Sequence, residues 1–239
     1  MTERSFTERF EAFDRNYQEI TEQIARAAER SGRRLEDVTL LAATKTVPVE
    51  VINHAISRGL THLGENRVQE LLDKYDRLDR DGCDLQFIGR LQTNKVKYLM
   101  GKVSCVQSLD SLRLAGEISR LCAKDGQKMD VLVEVNVGRE ENKGGVMLEE
   151  LEEFIDSIRV LPGLHVSGLM AIPPICSDKK ILYRYFTVME QYYVDIRAKR
   201  MDNVDMVCLS MGMSSDFREA IECGATMVRV GSSLFGARA

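Results

Sequence analysis

The segment Val38-Thr39-Leu40-Leu41-Ala42-Ala43-Thr44-Lys45-Thr46 decides how the rest of the chain is read. Val38 to Ala43 are largely apolar and read as a buried strand, and Pro48 introduces a helix just beyond. Lys45 therefore stands where a strand core ends. An ammonium taken out of water must find an anion, give up its proton or be consumed covalently, and a desolvated lysine is a nucleophile for carbonyl groups. The plainer alternative is a lysine that tops the strand with its amine in water.

Working outward, the same strand-then-helix pattern repeats along the chain. Before it, Phe6, Phe10, Phe13, Tyr17, Ile20, Ile24 and Ala27 recur at helical spacing from about Ser5 to Arg30, and Ser31-Gly32 stops the run. After it, strands are predicted at 62–65, 85–89, 103–108, 129–137, 164–172, 206–210 and 226–230. Helices between them are predicted at 48–58, 67–78, 93–100, from Asp110 as cap to about 124, 147–160, 178–199 and 214–223. Strict alternation implies a parallel sheet, and eight such strands in this length imply a single closed TIM (β/α)8 barrel. A doubly wound open sheet is the competing architecture, but no G-x-G-x-x-G follows the first strand. Residues 1–239 are read as a single domain, with residues 1–32 a helix packed on the barrel across the gap left by the short tail Gly231 to Ala239.

Composition narrows the function classes. With 33 basic against 37 acidic residues and a net charge of -4, there is no electrostatic footprint for nucleic acid or anionic membrane. The six cysteines, at 83, 105, 122, 176, 208 and 223, form no C-x-x-C pair and read as core residues of a reducing compartment. The charged start, Met1 to Phe10, lacks the apolar core of a secretory signal, and no stretch approaches a membrane span. A cytoplasmic protein acting on small molecules is expected.

In such barrels the chemistry collects at the C-terminal ends of the strands. Those ends carry Lys45, Glu65-Asn66, Gly89-Arg90, Ser108, Asn136, Met170, Ser210-Met211-Gly212-Met213-Ser214 and Arg229-Val230-Gly231-Ser232-Ser233. The set is poor in carboxylates and contains no histidine. Gly231-Ser232-Ser233 would expose backbone N–H groups to an anion, and Ser214 opening a helix would add more, although glycine-serine turns are also ordinary loop material. Arg229 alternates away from Val228 and Val230 and would point into the barrel mouth, or else serve a structural ion pair. Asn66 and Asn136 read equally well as a helix cap and a turn former. Together these residues offer a Schiff-base lysine, a phosphate cradle opposite it and an arginine between. A phosphorylated aldehyde such as pyridoxal 5'-phosphate fits, since its aldehyde and phosphate arm are on neighbouring ring positions.

At these same residues the sequence resembles the pyridoxal phosphate homeostasis protein family, barrel-only relatives of bacterial alanine racemase. The matching pieces are Ala43-Thr44-Lys45-Thr46, Gly64-Glu65-Asn66 with Val68-Gln69-Glu70, Phe87-Ile88-Gly89 with Leu91-Gln92 and Asn94-Lys95, Asn136 with Lys143 and Gly145, Gly168 to Pro173, Leu209 to Ser214 with Asp216, and Val228-Arg229 with Gly231 and Phe235-Gly236. The resemblance implies a barrel of the alanine racemase N-terminal-domain type with an extra N-terminal helix. It implies that Lys45 carries the cofactor as a Schiff base, that Ser210, Ser214, Gly231 and Ser232 surround the phosphate, and that Asn66 and Met211 complete the binding set. Arg229 would face the pyridine nitrogen and keep it unprotonated, weakening the ring as an electron sink. Two positions depart from the family pattern: Gln86 stands where a histidine is usual, and Arg67 where an aromatic is usual. Neither is needed for attachment, so local packing or entrance-loop contacts are what they put in question.

The resemblance favours a non-catalytic carrier of vitamin B6, a monomer, with pyridoxal-phosphate-dependent apo-enzymes as recipients. The alternative is an amino-acid racemase, which needs acid-base groups on both faces of the substrate carbon. The second is usually a tyrosine from a further domain. This chain is expected to end with its barrel, and its tyrosines, at 17, 75, 98, 183, 185, 192 and 193, fall in predicted helices. A lysine aldolase acting on a phosphosugar is a third reading, for which only Glu65 stands near the amine.

Overall fold

A computed structural model describes residues 3–176 and 178–236 of the chain. The strands are β1 (Thr39–Ala43), β2 (His62–Glu65), β3 (Asp84–Phe87), β4 (Cys105–Leu109), β5 (Met129–Val135), β6 (Leu164–Ala171), β7 (Val204–Met213) and β8 (Met227–Val230). They close into a barrel in sequence order, and β8 pairs in parallel with β1, Leu41 standing beside Arg229. The expected (β/α)8 architecture is therefore present. The helices are α1 (Glu3–Arg30), α2 (Val49–Ser57), α3 (Val68–Tyr75), α4 (Leu112–Asp125), α5 (Leu151–Ile158), α6 (Lys179–Ala198), α7 (Phe217–Glu222) and the single turn α8 (Ser232–Phe235).

Several expected boundaries shift for local reasons. The segment between β3 and β4 is a 3-10 helix, Thr93–Tyr98, the form that short helical runs favour. Ser111, not Asp110, caps α4: its backbone is extended and its hydroxyl accepts from the Leu114 N–H at 3.4 Å, while Gly126 at φ +62° ends the helix. The 147–160 helix resolves into a 3-10 turn, Leu148–Glu150, followed by α5. Strand β7 runs on to Met213 rather than stopping at Ser210. Ser214 consequently lies in a turn, and α7 begins only after Asp216, whose Oδ1 accepts from the Met213 N–H at 2.6 Å.

Helix α1 packs against α2, α7 and α8, beside the short last helix. Phe13 is fully buried there, stacked on Tyr17 and on Phe235 at 5.4 and 5.5 Å between ring centroids. The Asn16 amide donates to the Leu234 carbonyl at 3.1 Å, which ties α1 to α8. Most buried apolar side chains form the layer between barrel and helices, including Ala42, Leu63, Val131, Leu169 and Val228. By alternation, Leu41, Ala43, Ile88 and Met227 form one cluster inside the barrel, and Cys105, Leu132 and Met170 a second. The same alternation puts Gln86, Gln107, Ser210 and Arg229, all buried, in the interior with them.

Candidate functional site

Lys45 follows the last residue of β1 by two, and so keeps the inward parity of Leu41 and Ala43. It is half-buried. The residues on either side of it are gripped by α3. Lys74 Nζ donates to the Thr44 carbonyl at 2.8 Å and to Glu65 Oε1 at 2.7 Å, and the Thr44 hydroxyl donates to the same carboxylate oxygen at 2.7 Å. One turn earlier on α3, Glu70 Oε2 accepts from the Thr46 N–H at 2.9 Å. Thr46 itself has φ +61°, a left-handed conformation that a β-branched residue adopts only under constraint. Glu65 faces outward beneath α3, so its carboxylate sets the backbone around Lys45 rather than joining the mouth.

The loop after β8 offers its amides to an acceptor. The N–H groups of Gly231 and Ser233 both donate to Ser214 Oγ, at 3.3 Å each, and the Ser233 hydroxyl donates to the Ser214 carbonyl at 3.4 Å. Gly231 lets the loop lie close at this point. A Cβ there would stand 3.1 Å from the Ala43 carbonyl oxygen and 3.3 Å from its Cβ, because the loop is laid against the end of β1. The cradle thus lies directly beside Lys45's strand and not opposite it, as the pairing of β8 with β1 dictates. Ser232, exposed, opens α8.

Arg229 is buried within the barrel and donates to Ser210 Oγ at 2.6 Å and to the Ala171 carbonyl at 2.9 Å. Burial pushes its pKa down to about 10 against the opposing pull of Glu134, Cys208 and Asp216. Ser210 is fully buried and its hydroxyl is committed to Arg229 and Gln107. The Met211 side chain packs in the layer between barrel and helices.

A cavity of about 220 Å³ opens in the mouth, lined among others by Asn66, Arg90, Glu134, Asn136, Lys143 and Gly144. Asn66 Oδ1 is buried and has no hydrogen-bond partner there. The N-cap position of α3 is taken by Arg67, so Asn66 lines the cavity without capping the helix. Asn136 does form its turn: its side chain donates to the Glu140 carbonyl at 2.9 Å and accepts from the Glu140 N–H at 3.0 Å.

Glu134 corrects the expectation of a mouth poor in carboxylates. Burial, with a contribution from Asp110, raises its pKa to about 7, while Arg229 and Arg90 pull the other way. The sequence signal was its parity: Glu134 stands two residues beyond the inward Leu132. The three histidines lie away from the mouth: His54 against Asp14 and Phe10, His165 between Asp130 and Asp205, and His62 near Asp84. Among the described residues no cluster suits a metal ion.

These features define a class of protein: a parallel (β/α)8 barrel with a strand-end lysine held beside an amide-lined loop, and a buried arginine beneath the mouth. The family model described as "Alanine racemase, N-terminal domain" matches residues 12–239. The chain is 49% identical over 219 residues to a protein of Aquifex aeolicus named pyridoxal phosphate homeostasis protein, covering 92% of this chain and 95% of that one. It is 37% identical over 226 residues to the protein of the same name from Escherichia coli K12, covering 93% and 95%. Among solved structures, PipY of Synechococcus elongatus PCC7942, determined with PLP bound, superposes with a TM-score of 0.78 at 29% identity, covering 88% of this chain and 100% of that one. The chain belongs to the alanine racemase N-terminal-domain family, in the branch whose members are called pyridoxal phosphate homeostasis proteins.

Proposed function

We propose that this chain binds pyridoxal 5'-phosphate as a Schiff base on Lys45 and serves vitamin B6 homeostasis as a carrier without robust turnover. The observation that carries this reading is the adjacency of Lys45 to the paired Gly231 and Ser233 amides, across neighbouring strands. The cofactor's aldehyde and phosphate arm are themselves neighbours on the ring, so one small ligand reaches both. The residues fit the group on two further counts: an orphaned Asn66 Oδ1 waits for a donor, and a cradle built to receive an oxygen is filled by the Ser214 hydroxyl.

When bound, the group would supply an aldehyde with which the Lys45 amine could condense, losing one water. Ser214, Gly231 and Ser232 would hold the phosphate. The Arg229 guanidinium would face the pyridine nitrogen and, as a donor, would leave that nitrogen unprotonated. Ser210 acts from behind by holding Arg229, Met211 supports the loop from the outer layer, and Asn66 closes the cavity side. Recipients are pyridoxal-phosphate-dependent apo-enzymes, and the carrier is a cytoplasmic monomer; no described helix is long and apolar enough to cross a membrane.

The test is an absorbance spectrum of the purified protein before and after borohydride, with mass analysis of the lysine peptides. A visible band fixed by reduction onto the Lys45 peptide, and absent in Lys45→Ala, is expected. A colourless protein that takes up no added cofactor overturns the reading.

One observation favours a second reading, an amino-acid racemase: Glu134, with its pKa at about 7, is an acid-base group in the cavity. The seven tyrosines lie on α1, α3, α6 and the 3-10 helix 93–98, away from the mouth. Exchange of an amino acid's α-proton in deuterated water, lost in Glu134→Gln, would establish turnover.

A further inference from the structure

We infer that Asp84, at the far end of the barrel from the mouth, is a positioning residue for Arg229, acting through Gln86, Gln107 and Ser210. The inference rests on the reading that Arg229 faces the cofactor ring. Arg229 Nη1 donates to Ser210 Oγ at 2.6 Å, Ser210 Oγ to Gln107 Oε1 at 2.7 Å, Gln107 Nε2 to Gln86 Oε1 at 2.6 Å, and Gln86 Nε2 to Asp84 Oδ2 at 2.6 Å. The file crosses the interior from β8 through β7, β4 and β3. Its middle is shut off from water: Ser210 and Gln107 are 0% exposed and Gln86 6%.

The two ends fix the direction of every link. A guanidinium can only donate and a carboxylate can only accept. Ser210 must accept from Arg229 and pass its own proton to Gln107, whose amide N–H is then left for Gln86, whose amide is left for Asp84. All four dipoles point one way, from cation to anion, and each strengthens the next. Stability alone does not ask for this arrangement, since replacing both partners of a buried hydrogen bond with apolar groups of like shape is nearly neutral. What the file secures is a single orientation of the guanidinium. Asp84 is itself held at the lower end: Ser104 donates to Oδ1, and His62 Nε2 stands 3.8 Å from Oδ2. Gln86 is thus an interior link rather than an entrance-loop residue.

The test reads Arg229 directly, by proton-nitrogen spectra of its guanidinium in the cofactor-free chain. Asp84→Asn removes the anion at a position about one-third exposed, where folding is safe. Gln107→Met cuts the file in its middle. Both are expected to speed exchange of the Arg229 Nη protons with water by about tenfold, whereas Ser104→Ala, which touches Asp84 outside the file, is expected to leave it unchanged. In the loaded protein, Asp84→Asn is expected to shift the pH midpoint of the visible band, because the guanidinium is no longer held in one orientation toward the ring. Unchanged guanidinium exchange in Asp84→Asn overturns the inference. A wild-type chain that takes up no cofactor defeats the proposed function instead, and the guanidinium spectra still decide the file.

Discussion

Lys74 Nζ stands 2.8 Å from the carbonyl oxygen of Thr44, the residue that precedes Lys45. The ammonium is only 11% exposed and its partner Glu65 only 2%, so this is an ion pair largely out of water, and it holds the lysine's backbone as well as itself. Removing one member of such a pair leaves a buried charge uncompensated, at a cost of about 3–5 kcal/mol. Lys74→Met is therefore expected to lower stability by that amount in urea melts and to weaken cofactor uptake. Glu65→Gln combined with Lys74→Met is expected to recover part of the stability, because the stranded carboxylate is gone. A double variant no more stable than Lys74→Met would show that the pair's charge is not what matters.

Thr46 separates strain from positioning. Its left-handed backbone costs roughly 1–2 kcal/mol for a residue with a Cβ. Glycine removes that strain but adds about 0.5–1 kcal/mol of chain entropy to be lost on folding. Thr46→Gly is thus expected to leave stability unchanged or raise it by up to about 1.5 kcal/mol. Cofactor affinity is expected to fall all the same, since the turn that aims Lys45 is loosened. Glu70→Ala, which removes the acceptor of the Thr46 N–H, is expected to weaken uptake in the same way. Titration by absorbance checks both, and full affinity in the two variants would sink the clamp.

The barrel was legible because short, largely apolar strand runs and helical apolar runs alternate strictly, although strand ends were read less well, β7 running on to Met213 rather than stopping at Ser210. Lys45 and the Gly231 loop followed from that frame. The clamp was only half legible: alternation with Leu63 already turns Glu65 outward, but its partner Lys74 comes from α3 and meets it only once that helix docks. Not legible were the links between Gln86, Gln107 and Ser210, which lie on β3, β4 and β7 and meet only once the barrel closes. Glu134 was hidden by its apolar neighbours, although its parity with Leu132 placed it inside.

Glu134 makes stability depend on pH in a definite direction. Its folded pKa of about 7 lies above the unfolded value of 4.5, so between these the native state binds more protons than the unfolded one. The favourable contribution is fully present below pH 4.5 and is lost as pH rises through 7. A shift of this size corresponds to about 3 kcal/mol, less whatever water enters the cavity screens. Glu134→Gln is expected to flatten that fall, so that the variant gains on the wild type between pH 5 and 8, roughly the span of the shift. Parallel stability curves for the two would place the titration on another group.

The amide cradle is braced from outside the barrel, by the Asn16 side chain on the Leu234 carbonyl at 3.1 Å. Leu234 in turn donates its N–H to the Gly231 carbonyl at 3.0 Å, so the brace reaches the loop through one turn of helix. Phe13→Ala would test α1 crudely, since emptying a fully buried aromatic site costs about 3–5 kcal/mol and disturbs the whole face. Asn16→Ala is the cleaner probe, removing a hydrogen bond worth about 1 kcal/mol. If that energy is felt at the cradle, affinity for pyridoxal 5'-phosphate falls about fivefold, while affinity for pyridoxal, which reaches Lys45 but carries no phosphate, is unchanged. Absorbance titrations with the two ligands make the comparison. An equal loss for both would mean that α1 steadies the barrel as a whole and that the phosphate loop stands without it.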